Sequence, residues 1–116
     1  MQKVPILLFP LVSRVGDVSS LTIENYGWRG FQLATRASVL NSAQVEVFLD
    51  AYDPFEGAAV AMQSLVVLNA VARGIYSFYP GLAAPNGMIL PTQFQIRCVP
   101  ADGAANTYSV ALTLLP

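Results

Sequence analysis

The fold class is decided by residues 92–115, which read Thr-Gln-Phe-Gln-Ile-Arg-Cys-Val (92–99), Pro-Ala-Asp-Gly-Ala-Ala-Asn (100–106) and Thr-Tyr-Ser-Val-Ala-Leu-Thr-Leu-Leu (107–115). In the first and third segments, apolar and polar side chains alternate with a period of two. This alternation is typical of strands that bury one face. The middle segment is rich in residues that favour turns. The sequence therefore predicts that the chain closes with a β-hairpin that has one apolar and one polar face.

Other candidate strands show similar short runs, separated by turn-forming residues: 21–23, 31–37, 43–52 and 75–79. In the third of these runs we expect Val45, Val47 and Leu49 to face the core. Short strands at regular spacing predict an all-β fold, an antiparallel β-sandwich that is jelly-roll-like and has about seven or eight strands. The longer loops are expected at 53–57 and 81–91.

The N-terminal segment differs from the rest of the chain. Residues 4–12 are almost wholly apolar and include Pro5 and Pro10, which central strands do not tolerate. We therefore predict an extended arm or edge strand over residues 1–12 and a single β-sandwich domain over residues 13–116. A secretory signal peptide is the alternative for this segment, although the apolar run is short and no clear cleavage site follows it.

Residues 58–72 allow two interpretations. Their Ala, Met and Leu content favours a helix. The alternative is two short strands, 62–66 and 68–72, with a tight bend near Asn69. Periodicity does not separate the two interpretations for a short apolar run.

Charged residues are scarce in this chain. There are six Lys and Arg, seven Asp and Glu, and charged residues make up 11% of the sequence against a hydrophobic fraction of 54%. Typical domains are about 25% charged. Large apolar patches usually mark contact sites, so we predict a homo-oligomer or a lattice component; the alternative is a monomer surfaced with uncharged polar residues. No basic stripe predicts nucleic-acid binding, and the N-terminal apolar run is too short to span a membrane.

No residue pattern predicts catalysis. The chain contains no His, so it cannot form a Cys-His or Ser-His pair. Cys98 lies on the apolar face of a predicted strand, where a small buried side chain is expected. Asp50, Asp53 and Glu56 could hold a hard cation or act as an acid and base on a glycoside, but they lack the supporting pattern of either site. We expect solvated turn acids there, and no catalytic residue, metal or cofactor.

Aromatic residues form a loose group: Tyr26, Trp28, Phe31, Tyr76, Phe78 and Tyr79. Aromatic side chains in and near strands usually belong to the core or to cross-strand pairs. Exposed rings could instead stack on a sugar. A platform of Trp28, Tyr76 and Tyr79 would make the chain a carbohydrate-binding or host-surface-binding β-sandwich, and we keep this as the alternative function.

Five short motifs follow one another along the chain: Trp-Arg-Gly-Phe-Gln-Leu (28–33), Val-Phe-Leu-Asp-Ala-Tyr-Asp-Pro (47–54), Tyr-Ser-Phe-Tyr-Pro-Gly-Leu (76–82), Ile-Leu-Pro-Thr-Gln-Phe-Gln-Ile-Arg (89–97) and Asn-Thr-Tyr-Ser-Val-Ala-Leu-Thr-Leu (106–114). This order resembles small proteins from the structural modules of tailed phages and prophages. The resemblance implies a non-enzymatic all-β virion protein, a decoration (cement) protein that binds the major capsid protein on the capsid surface. It also favours strands over a helix at 58–72.

The predicted partners are therefore the major capsid protein and further copies of the chain, with a homotrimer favoured. A tail or neck ring component is the alternative position in the virion. An extended N-terminal segment could add a strand to a neighbour. The expected contact residues lie in the N-terminal arm and in the loop before the closing hairpin: Val4, Ile6, Leu7, Leu8, Phe9, Leu11, Val12, Leu82, Met88, Ile89 and Leu90.

Overall fold

The computed structural model describes residues 3–84 and 86–116. Met1 and Gln2 of the predicted arm, and Pro85 of the predicted loop, lie outside these ranges. Within the described ranges the chain forms strands only: β1 (Val4–Arg14), β2 (Val18–Ser19), β3 (Ile23–Glu24), β4 (Gly30–Leu40), β5 (Val45–Asp53), β6 (Ala58–Leu68), β7 (Arg73–Phe78), β8 (Gln93–Pro100) and β9 (Asn106–Leu115).

The strands form two antiparallel sheets. Sheet A has the order β1-β9-β4-β7, and sheet B has the order β2-β8-β5-β6, with β3 also pairing with β8. Each sheet takes strands from both ends of the chain, and β2 and β3 together occupy one edge position of sheet B. This is the strand arrangement of a jelly roll. The predicted antiparallel, jelly-roll-like β-sandwich is confirmed.

The core lies between the sheets and is built from alternate residues of the central strands. The predicted inward residues Val45, Val47 and Leu49 of β5 are fully buried. The Phe31 ring of β4 stacks on Phe78 of the same sheet, with centroids 5.1 Å apart, and on Phe94 of sheet B, with centroids 6.4 Å apart. These three rings therefore join the two sheets across the core.

The predicted closing hairpin is wrong. β8 and β9 both exist, and their predicted apolar faces are buried, but β8 lies in sheet B and β9 in sheet A. Residues 101–105 form the loop that leads from β8 in sheet B to β9 in sheet A. Alternation shows that each strand buries one face, and it says nothing about which strand supplies the hydrogen bonds.

A buried amide holds this crossing in place. Asn106 is 1% exposed, and its Oδ1 accepts hydrogen bonds from the backbone N–H groups of Asn41 (2.8 Å) and Ser42 (3.0 Å). Its Nδ2 donates to Ser42 Oγ (2.9 Å) and to the Ala104 carbonyl (3.2 Å). The Ser42 hydroxyl in turn donates to Asp102 and, with the Ala104 N–H, lowers the pKa of that carboxyl. Two crossing loops, β4–β5 and β8–β9, are thereby tied together.

Residues 58–72 resolve as one long strand followed by a turn. The helix interpretation is wrong, because β6 runs unbroken from Ala58 to Leu68 along β5. The expected bend near Asn69 is present, but the following strand begins at Arg73 and lies in sheet A. Helix propensity is a weak preference that pairing with a neighbouring strand overrides.

The N-terminal segment is an edge strand of the protein's own sheet, not a free arm. β1 pairs with β9 from Val4 to Arg14, with two irregularities in register that leave Leu8 and residues 10–11 unpaired. Arg14 fastens the irregular part: its guanidinium donates to the carbonyls of Pro10 and Tyr108 and lies over the Tyr108 ring at 4.9 Å. Prolines and bulges are common devices on edge strands, so the edge-strand alternative fits both the sequence and the fold.

Candidate assembly interface

The far half of the β5–β6 hairpin is an exposed apolar element. β8 accompanies β5 only as far as Ala51, which pairs with Phe94; beyond that pair, and among the described residues, β5 and β6 pair only with each other. All side chains from residue 54 to residue 62 are exposed, so both faces of this part of β6 are open to solvent. We call residues 52–62 the β5–β6 arm.

The tip of the arm is shaped by local hydrogen bonds. Asp53 Oδ1 accepts the N–H groups of Phe55 (2.9 Å) and Glu56 (3.4 Å), and the Gly57 N–H donates to the Asp53 carbonyl (2.8 Å). Gly57 has a φ of 66°, a left-handed conformation that favours glycine. The turn holds the Phe55 ring outward, 97% exposed. An apolar ring at the end of a projecting hairpin is shaped for contact with another surface.

Among the described residues, no further strand pairs with the outer edge of β6. This strand of 11 residues contains no charged residue and no proline, and its sequence is Ala-Ala-Val-Ala-Met-Gln-Ser-Leu-Val-Val-Leu. Val60 is 57% exposed and Met62 is 45% exposed. Native edge strands are usually protected by charges, proline or brevity; this one has only two bulges in its register with β5. A long uncharged edge of this kind can pair with another chain.

Sheet A presents a second apolar area on its outer face. Leu7 of β1, Ala111 of β9, Ala34 of β4 and Ile75 of β7 are in register and form one row across the sheet. Small side chains at the centre of this row leave a shallow depression of about 360 Å³. Ile75, which is 73% exposed, forms part of its rim.

The two sheets carry opposite charge. Within the described strands, sheet A holds basic residues and no acidic ones: Arg14, Arg36 and Arg73. The strands of sheet B hold mainly acidic residues: Glu24, Glu46, Asp50 and Asp53, with Arg97 as the basic exception. The chain is therefore nearly neutral as a whole but polarised from face to face.

The expected contact residues of the N-terminal segment and the loop fall into three groups. Phe9, Met88 and Leu90 are buried in the protein's own core and are not surface residues in this structure. Ile6 and Leu8 are partly buried against the core. The remaining members are exposed: Val4, Leu7, Leu11, Val12, Leu82 and Ile89. The exposed members are free for contact, and their role stays a prediction.

The acidic cluster predicted around the β5–β6 turn is divided by the fold. Asp50 is buried and paired with Arg97, whose Nε lies 2.7 Å from Asp50 Oδ2 and whose Nη2 lies 3.2 Å from Oδ1. This hydrogen-bonded pair raises the pKa of Arg97. Asp53 accepts the hydrogen bonds of the turn, while Glu56 is exposed at the tip. Among the described residues no group of three His, Cys, Asp or Glu side chains could hold a metal ion.

The aromatic side chains do not form one open platform. Trp28 and Tyr76 are partly buried against the core. The Tyr79 hydroxyl donates to the Pro116 carbonyl (2.7 Å), and the Arg29 guanidinium lies 5.3 Å from the centre of its ring. The three residues proposed for sugar stacking are therefore engaged within the protein.

Cys98 and Tyr108 meet in the core from opposite sheets. Burial raises the pKa of the Cys98 thiol to about 12, and burial likewise raises the pKa of Tyr108 to about 12. A thiol is reactive as its thiolate. Cys98 is therefore the small buried side chain that its position in the sequence predicted.

Comparisons with known proteins identify the class of fold. No family model and no curated protein matches the sequence. Among solved structures, a chain in the structure of infectious bursal disease virus, Gx strain, is similar, with a TM-score of 0.55 and 12% identity. The match covers 97% of this chain and 31% of that chain, so the present chain spans about a third of its length. The fold therefore resembles that of part of a chain in this virus structure.

The described residues also contain no helix with the length and hydropathy needed to cross a lipid bilayer.

Proposed function

We propose that this chain is a non-enzymatic structural protein of a virus particle, which binds the capsid surface as a homo-oligomer and stabilises it. The observation that carries the proposal is the β5–β6 arm, an apolar hairpin exposed on both faces and projecting from a jelly roll. Because the resemblance to the virus structure concerns the fold alone, the role of the chain is argued from this arm.

The arm has the composition of a contact element. Full burial of a Val, Met or Phe side chain contributes roughly 1.5–3 kcal/mol. Phe55, Val60 and Met62 are all exposed on the arm, and no charge on β6 has to be desolvated when a partner covers them. Charge depletion is the compositional mark of an interface core.

The free edge of β6 adds hydrogen bonds to this apolar contact. An unpaired strand edge offers N–H and C=O groups to a strand of another chain. The sequence predicts this mode of recognition for the N-terminal segment. In the structure β1 already pairs with β9, although no other described strand pairs with its second edge. The β5–β6 arm therefore takes the place of the predicted N-terminal arm in the proposal.

Binding to particles tests this function. Particles of the virus that encodes the chain, prepared without it, are incubated with purified protein and sedimented. We expect the wild type to sediment with the particles at a saturating ratio, and Val60→Lys/Met62→Lys to remain in the supernatant. Val15→Lys/Leu21→Lys is the matched control, because it adds the same charges at exposed apolar residues outside the arm. This control variant should bind like the wild type.

The proposal is overturned if the wild type does not bind, or if the arm variant binds as well as the control. Circular dichroism and thermal unfolding of each variant confirm that it is folded. Electron microscopy of the rebound particles shows the position of the protein. Density on the capsid surface supports the proposal, and density confined to a tail or neck ring contradicts its capsid location.

A further inference from the structure

The depression on the outer face of sheet A is bordered by two arginines. Arg36 of β4 and Arg73 of β7 are directly opposite each other in register, and both line the depression. Ala34, Ala111 and Ser109 also line it, and their short side chains leave space between the guanidinium groups and the β9 side. The result is a shallow recess with an apolar centre and a basic rim.

The arginine pair lacks a counter-charge. Neither guanidinium forms an ion pair or a hydrogen bond among the described residues, and the described strands of sheet A contain no carboxylate. Like charges directly opposite each other on neighbouring strands are destabilising. An anionic group placed between Arg36 and Arg73 would remove this repulsion, because each guanidinium can donate two parallel hydrogen bonds to a carboxylate.

The tip of the β5–β6 arm has the complementary chemistry. Phe55 and Glu56 are adjacent, and both are exposed. The Glu56 side chain has no ion-pair or hydrogen-bond partner in the described part of the chain. The tip therefore presents an aromatic ring beside a free carboxylate, and the recess presents an apolar centre beside two free guanidinium groups.

We propose that the tip of the β5–β6 arm of one copy docks in the sheet A recess of a second copy. The Phe55 ring lies against Ala34 and Ala111, and the Glu56 carboxylate lies between Arg36 and Arg73. This inference rests on the self-association included in the proposed function, and it names the two surfaces that meet.

Charge and symmetry both favour a second copy as the occupant. The acidic turn of the arm belongs to sheet B, and the strands that surround the recess carry basic residues only, so each copy carries both halves of the contact. Two different surfaces of the same chain then meet. Such a head-to-tail contact forms a closed ring when the rotation from each copy to the next adds up to a full turn. A trimer forms when that rotation is one third of a turn.

A charge exchange tests the contact, with self-association measured by sedimentation velocity of the full chain. Glu56→Arg alone, and Arg36→Glu/Arg73→Glu alone, should each weaken self-association at least about tenfold, since both variants place like charges across the contact. An equimolar mixture of the two variants should associate more strongly than either variant alone, because the tip of each variant then meets a recess of opposite charge on the other. Phe55→Ala should also weaken association, because it removes the ring that fills the recess. Thermal unfolding should be nearly unchanged, because all these residues are exposed.

The possible results distinguish failure of the proposed contact from failure of the proposed homo-oligomer. If the wild type associates and the charge variants associate equally well, the contact is wrong and the proposed function stands. If both variants are weakened and their mixture associates no more strongly than either variant alone, Glu56 and the arginines do not meet, and the contact is again wrong. If Arg36→Glu/Arg73→Glu loses binding to particles yet self-associates normally, the recess binds a capsid carboxylate instead. If the wild type does not associate at all, the homo-oligomer of the proposed function fails together with the contact.

Discussion

Tyr108 and Cys98 show how the two sheets meet at the level of single residues. The Tyr108 hydroxyl is buried and has no hydrogen-bond partner of ordinary geometry among the described residues, and the Cys98 thiol lies beside it. Both groups are neutral in the folded protein, because burial disfavours the thiolate and the phenolate. The core at this point therefore tolerates two weak acids only in their protonated forms.

This arrangement predicts a loss of stability in alkali. The ordinary pKa of the Cys98 thiol is 9.0, and burial raises it to about 12 in the folded protein. Between these pH values the unfolded chain releases a proton that the folded chain retains, so the free energy of unfolding falls as the pH rises above about 9. One fully linked proton contributes a slope of about 1.4 kcal/mol per pH unit.

Urea unfolding of the wild type and of Cys98→Ala from pH 7 to pH 11 measures this slope. Cys98→Ala is expected to be less stable at pH 7, because it leaves a cavity, but its stability should decline less steeply between pH 9 and pH 11. The remaining decline belongs to Tyr108, whose pKa is also raised. Parallel pH profiles for the two proteins would show that the thiol does not titrate in the way its burial requires.

Sequence patterns predicted the burial of single residues well where alternation was strict. Phe94, Ile96 and Cys98 were expected on an apolar face, and all three are fully buried. Asn106 was interpreted as a turn residue, and its burial was missed. An amide is buried when several backbone groups need its hydrogen bonds, and those groups come from a loop about 65 residues earlier in the chain.

At the scale of elements, the Asn106 side chain determines how two crossing loops are held. Asn106→Ala would leave the backbone N–H groups of Asn41 and Ser42 without their acceptor. We expect the free energy of unfolding to fall by about 1–3 kcal/mol. Asn41→Ala is the matched control, because it removes an exposed amide from the same pair of loops and should cost less. Equal losses in chemical denaturation would contradict the importance of the buried amide.

Strand pairing is where sequence-based prediction was weakest. The period of two identified β4, β5, β8 and β9 as strands with one buried face. Antiparallel hairpins and crossings between sheets both join such strands through short loops, so the partner of β8 was assigned wrongly. The choice depends on contacts between distant segments, which a local pattern does not contain.

The position of the projecting element was also beyond local patterns. The apolar residues of β1 predicted an arm or an edge strand, and the apolar residues of β6 were ambiguous between a helix and strands. In the fold, β1 places Phe9 in the core and β6 lies at an edge with its far half uncovered. Composition alone could not separate a segment that packs on its own domain from one that awaits a partner, because both are apolar.

The whole molecule combines a jelly roll with a sparsely charged surface. Six basic and seven acidic residues share an accessible surface of 6208 Å². Within the described strands, sheet A carries only basic residues, and sheet B carries mainly acidic ones. Exposed apolar side chains include Phe55, Val60 and Met62 on the β5–β6 arm, and Leu7 and Ile75 in the row across sheet A. These features together support an assembly unit, in which one copy covers the surface that another leaves open.

The mass of the purified protein in solution tests this account most directly. Sedimentation velocity over a wide range of concentrations, at neutral pH and moderate salt, reports whether copies associate. The account predicts a mass that rises above the 12.4 kDa of one chain as concentration increases, and reaches a defined oligomer. A mass that stays at 12.4 kDa up to the solubility limit would contradict it.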